Sequence, residues 1–138
     1  HYLNLSRGED GTRELSILSC LADQSLVSSQ PLIDDAIALP EQGEVTLRAR
    51  VHGADLQFAW SLDGTRWQAV GPVLDASLLS DETGKGEGAN FTGTFVGMAC
   101  HDLTGQGNHA DFREFLYHDL SAATASGKVS GVLEDIIS

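Results

Sequence analysis

The strongest constraint on this chain is an alternation of period two between residues 44 and 71. "VTLRARV" puts Val45, Leu47, Ala49 and Val51 on one side, with Thr46, Arg48 and Arg50 on the other. "LQFAWSL" repeats the pattern with Leu56, Phe58, Trp60 and Leu62. Successive strand side chains point to opposite faces, so each run predicts a half-buried strand. "HGAD" supplies a turn between them, and Asp63-Gly64 marks a second before "TRWQAVG". A three-strand antiparallel meander follows.

The flanking sequence reads the same way. "HYLNLS" and "RELSILSCL" at 13–21 are strand-like, separated by the turn "GEDG", and "IDDAIALP" is a short edge strand closed by Pro40. "FTGTFVGMACHD" and "ADFREFLYHD" read as two late strands around a loop at 103–109. Glycine is frequent, at 15 residues, which favours tight turns over long helices. The fold class expected is all-β, an antiparallel β-sandwich or jelly roll, with one domain over residues 1–120. The segment 121–138 reads as a linker-like tail in which "VLEDIIS" forms a short helical turn.

The formal net charge is −12 over 138 residues. Phosphate binding needs clustered Lys and Arg, so this balance argues against nucleic acid as a partner, and against anionic membrane surfaces. No segment approaches the length of a membrane-spanning helix, and no signal peptide is visible. The expected localisation is cytoplasmic. The chain starts at His1 without a Met, from which a longer parent protein is expected. For the two cysteines, Cys20 and Cys100, one bridge is the alternative; both lie in apolar runs, and two buried thiols are the expectation.

Several constellations invite a chemical reading. Cys100-His101-Asp102 resembles a nucleophile set, but neighbours on a regular strand face apart, out of the hydrogen-bond reach such a set needs. His101, His109 and His118 match no zinc spacing. A structural Ca²⁺ held by loop carboxylates is the better candidate, with Asp111 and Asp102 as ligands joined by Asp10 or Glu9. Glycosidase chemistry needs two acids at a set separation. Asp75, Asp81 and Glu82, or Asp34 and Asp35, supply acids, but among the 20 in this chain close pairs arise by chance. These are expected as solvated loop acids, so the catalytic residues expected in this chain are none. Among the aromatics, Trp60 is in phase with the core and Trp67 fits either environment. Phe91 follows a glycine-rich loop, where an aromatic meets a ligand or partner. "NLS" and "NFT" match glycosylation acceptors by coincidence.

Three stretches taken together carry a resemblance: "GADLQFAWSLDGTRWQAVGPVLDASLLSDE", "FTGTFVGMACHDLTG" and "ADFREFLYHD". In order and spacing they resemble the C-terminal β-sandwich domain of glycoside hydrolase family 43 β-xylosidases. The likeness covers roughly residues 2–119. One departure stands out: the family's second acid in its closing "ADFDYF" run is Arg113 here, which weakens any metal or polar role at that position. The resemblance implies a concanavalin A-like jelly roll. It also implies a partner outside this chain, an N-terminal five-bladed β-propeller that carries the catalytic carboxylates and acts on xylooligosaccharides. By position, Phe91 in "NFTGTF" is the residue implied to help close the propeller's substrate pocket, with Phe95 close by. The implied parent is a β-xylosidase or a bifunctional β-xylosidase/α-L-arabinofuranosidase. The alternatives are a stand-alone carbohydrate-binding module for xylooligosaccharides and a structural domain that builds a homo-oligomer.

Overall fold

The computed structural model describes residues 1–8, 10–20, 29–31, 36–79, 96–119 and 133–137. Its strands are β1 (Tyr2–Arg7), β2 (Arg13–Cys20), β3 (Ser29–Pro31), β4 (Ile37–Ala38), β5 (Val45–His52), β6 (Asp55–Ser61), β7 (Gln68–Asp75), β8 (Phe112–Leu116) and β9 (Leu133–Ile137). A 3₁₀ turn, Ala76–Leu79, follows β7.

Two antiparallel sheets result. In the first, β2 pairs with β1 on one edge and with both β3 and β4 on the other. The second has the order β7-β6-β5-β9-β8. The predicted meander is its β5-β6-β7 portion, with Leu47 opposite Trp60 and Ala49 opposite Phe58.

Alternation dictates which side chains meet between the sheets. Leu15 and Ile17 of β2 are fully buried. They join Val45, Leu47, Leu56, Phe58, Trp60, Val70, Leu74 and Leu39 in one hydrophobic cluster, flanked by Leu3, Leu5, Ile37, Ala49 and Ala76. Burying apolar surface from both sheets in a shared core is what makes the pair a sandwich. The predicted face does not extend to the strand ends, since Val51 and Leu62 are exposed.

Arg13 is in phase with Leu15 and is buried with it. Its Nη1 donates to the carbonyls of Pro40 and Gly43, each at 3.0 Å. The Leu39 amide donates to the Arg13 carbonyl at 2.8 Å. One buried guanidinium thus ties the 39–43 crossing between the sheets to β2, and a buried cation is tolerated because it is hydrogen-bonded.

A register shift interrupts β6–β7 between Leu56 and Phe58. Gly71, at φ 62°, and Pro72, with no amide hydrogen to donate, occupy the extra length of β7. The Gln57 side-chain Nε2 donates to the carbonyls of Phe58 and Val70 at 3.1 and 3.2 Å, so the bulge keeps these acceptors satisfied.

Two expectations are corrected. Leu133–Ile137 is a strand, not a helical turn: β9 lies between β5 and β8 and pairs antiparallel with both. Residues 96–102, expected as part of a strand, form none. Cys100 is exposed rather than buried, because no sheet holds its segment against the core.

Candidate functional site

The loop from Val96 to Asp111 carries Cys100, His101, Asp102, His109 and Asp111, and one carboxylate organises it. Asp102 Oδ1 accepts from the Thr104 amide at 2.9 Å and from its hydroxyl at 2.7 Å. Oδ2 accepts from the amides of Gly107 and Asn108 at 2.8 and 3.1 Å. Thr104 Oγ1 in turn accepts from the Gln106 amide and the Asn108 side chain. Gly105 and Gly107 take positive φ, which lets the chain curl around the carboxylate. These bonds, the Thr104 hydroxyl first, hold the Asp102 carboxyl well below the usual carboxylate range.

The same device recurs at three other turns. The amides of Thr12, Thr65 and Ser77 donate to Oδ1 of Asp10, Asp63 and Asp75 at 2.9, 2.9 and 2.8 Å. Each Asp is two residues before a Thr or Ser, and each side chain mimics a backbone turn. Asp63 also accepts from the Arg66 amide and guanidinium at 2.8 and 2.7 Å. All three carboxyls are shifted downward by these bonds.

The candidate chemistry can now be placed. Cys100 and His101 are both exposed, and among the described residues no hydrogen bond joins Cys100 to His101 or Asp102. The argument from strand alternation does not apply here, yet no nucleophile set is assembled. Asp111 is 3.7 Å from His109, both largely exposed. Asp102 has both oxygens engaged by its own loop. No group of three or more His, Cys, Asp or Glu spaced for a metal occurs among the described residues. Arg113 forms an ion pair with Glu44, linking β8 to the start of β5.

An open depression of about 340 Å³ lies at the far end of β6 and β7, lined by Ala54, Asp55, Val73, Leu74, Asp75 and Ser77. Asp55 and Asp75 are register partners there. A glycosidase general acid needs its carboxyl raised by its surroundings. Asp75 is shifted the other way, by the Ser77 hydroxyl and then the Ser77 amide. Phe91, Phe95, Glu9, Asp34, Asp35, Asp81 and Glu82 lie outside the described residues.

Sequence reasoning missed two features. Apolar side chains stand exposed along the loop and β8: Val96, Leu103 at 85%, Phe115 and Tyr117 at 68%. The guanidinium of Arg48 lies 3.2 Å above the centre of the Trp67 ring. The signal for this contact was the pair of small residues, Ala59 and Ala69, that lets Arg48 recline across the same face.

Two antiparallel sheets around one core define the class: an antiparallel β-sandwich. The chain belongs to the family described as beta xylosidase C-terminal concanavalin A-like domain, which matches residues 1–118. Similar proteins include a xylosidase/arabinosidase 43B of Humicola insolens, 39% identical over 117 residues (84% of this chain, 22% of that protein). A xylan 1,3-beta-xylosidase of a Vibrio species is 33% identical over 118 residues (85% of this chain, 21% of that protein). A beta-xylosidase of Bacillus subtilis (strain 168) is 32% identical over 117 residues (85% and 21%). The chain therefore spans about a fifth of the length of these relatives. No solved structure matches it.

Proposed function

We propose that this sandwich packs on an N-terminal five-bladed β-propeller in a xylan-degrading β-xylosidase and helps close the propeller's substrate pocket. The observation that carries the reading is the match over residues 1–118 to a domain that makes up about a fifth of each relative. The exposed apolar side chains Val96, Leu103 and Tyr117 support it, since surface of this kind fits a protein partner. Hydrolysis belongs to carboxylates of the partner domain. The chain contributes Phe91, from the segment between the 3₁₀ turn and Val96. The substrates are short xylooligosaccharides, and the parent also releases arabinofuranose.

The test is Phe91→Ala in the full-length parent enzyme. Losing one apolar wall of a pocket is worth about 1–2 kcal/mol, so kcat/KM on xylobiose falls by about 5–30-fold. The 138-residue chain alone hydrolyses nothing. Unchanged kinetics in the variant would overturn the role of Phe91.

A further inference from the structure

The slot between β5 and β8 in the second sheet suits two segments of this chain. β9 fills it, and among the described residues β8 pairs with nothing else. Yet the family match covers residues 1–118, so β8 falls inside the matched stretch and β9 outside it. A strand of the family domain is thus held to the sheet by one that the match does not include.

Residues 96–101 are the second segment. Their sequence, "VGMACH", alternates as a half-buried strand does, with Val96, Met98 and Cys100 on one side and Gly97, Ala99 and His101 on the other. In the structure they form no strand, and among the described residues no backbone hydrogen bond holds them. Val96 and Cys100 stand in solvent.

Direction and register both bear on an exchange. Directly after His101, the Asp102 carboxylate accepts from the amides of Gly107 and Asn108, which folds the chain back toward β8. A strand that leads into β8 through such a reversal runs antiparallel to it, as β9 does. In the slot, residues 96–101 therefore take the direction that β9 takes against β5. β9 carries a mismatch. Its register sets Asp135 opposite Leu47, a core residue, and an acid at a position on the core face is costly. In its favour, Glu134 is opposite Arg48. Residues 96–101 carry no acid, but they lack that opposite-charge position, and Gly97 weakens a strand. Neither segment is better on every count, the condition for two packings of similar free energy.

We infer that the slot between β5 and β8 is a strand-exchange switch, filled by β9 in one state and by residues 96–101 in the other. One strand fits there at a time, so docking of either releases the other. Val96 follows Phe91 closely in sequence, so docking of residues 96–101 anchors the chain that carries Phe91, and β9 is the autoinhibitory strand. This last consequence rests on the proposed pocket role of Phe91.

Two variants of the 138-residue chain test the exchange, read by amide exchange and by the labelling rate of Cys100 in its own peptide. Ile136→Pro removes an amide from β9, opposite Thr46, and breaks its ladder. Residues 96–101 then gain about tenfold in protection, Cys100 labels more slowly by a similar factor, and β5 keeps part of its protection. Asp135→Val removes the mismatch and needs no disrupted strand. It raises protection in β9, and Cys100, at a distance in sequence, labels about threefold faster. Unprotected residues 96–101 in a folded Ile136→Pro chain overturn the switch. So does an Asp135→Val chain in which β9 gains protection while Cys100 labels at its former rate. In the parent enzyme, Asp135→Val lowers kcat/KM; unchanged kinetics there, with the exchange observed in the chain, overturn the autoinhibitory role alone. The pocket reading fails separately, through the kinetics of Phe91→Ala.

Discussion

Asp63 shows how much one residue settles. Its carboxylate gathers the amides of Thr65 and Arg66, the Thr65 hydroxyl and the Arg66 guanidinium, and Gly64 at φ 67° lets the chain turn around it. These bonds, led by the Arg66 and Thr65 amides, push its titration far below the usual carboxylate range. A depressed folded-state pKa stabilises the fold at pH values above the unfolded carboxylate's range, and that contribution is lost as pH falls below it. Asp63→Asn is therefore less stable than the parent chain at pH 7. The gap in Tm between the two narrows as pH falls below about 4. Thermal melts from neutral pH down to about pH 2.5 check this, and a gap that widens toward acid would contradict it. The Asp-x-Thr/Ser spacing at 10–12, 63–65, 75–77 and 102–104 accompanies four turns in the structure. A catalytic reading of Asp75, or a metal-binding one of Asp102, leaves out the hydroxyl neighbours that already occupy these carboxylates.

At the scale of elements, the meander was legible because alternation and the Asp-Gly turn act locally. β9 was not. Its five residues follow a small, polar stretch, and nothing within "LEDII" says that two strand edges await it. A short strand gains its stability from partners, which β5 and β8 supply from distant parts of the chain. Residues 96–102 are the converse. The run "VGMAC" is apolar enough for a strand, but the Asp102 loop satisfies the adjoining backbone and no sheet edge receives it. Truncation after Asp119 removes β9 and exposes both edges. Amide exchange in β5 then accelerates, and Tm falls by about 5–10 °C, the size of shift that about 2 kcal/mol produces in a domain of this length. Unchanged protection of β5 would show that β9 does not hold that edge.

At the scale of the whole molecule, stability rests on the core that the two sheets share. Leu15 and Ile17 are the fully buried contribution of β2, facing the aromatic and aliphatic side chains of β5, β6 and β7. Leu15→Ala removes buried methyl groups and leaves a cavity between the sheets, at a cost of about 2–5 kcal/mol. Urea denaturation measures this, and both sheets lose structure in one transition because they share that core. A cost near zero would mean that the sheets are not packed through Leu15.

Local pattern by itself determined that the chain is an antiparallel sandwich, which strands form its meander, the central part of that meander's core face and which family its motifs resemble. Each of these depends on neighbours in sequence: period-two burial, turn residues and ordered motifs. Tertiary structure decided the rest. It placed β9 between β5 and β8, left Cys100 in solvent, committed Asp102 to its own loop, and laid Arg48 on Trp67 while leaving Arg50 exposed beside it. Those outcomes depend on which distant backbone edges and charges come together. Pairing across sheets is decided by the free energy of the whole fold, and no short window of residues contains it.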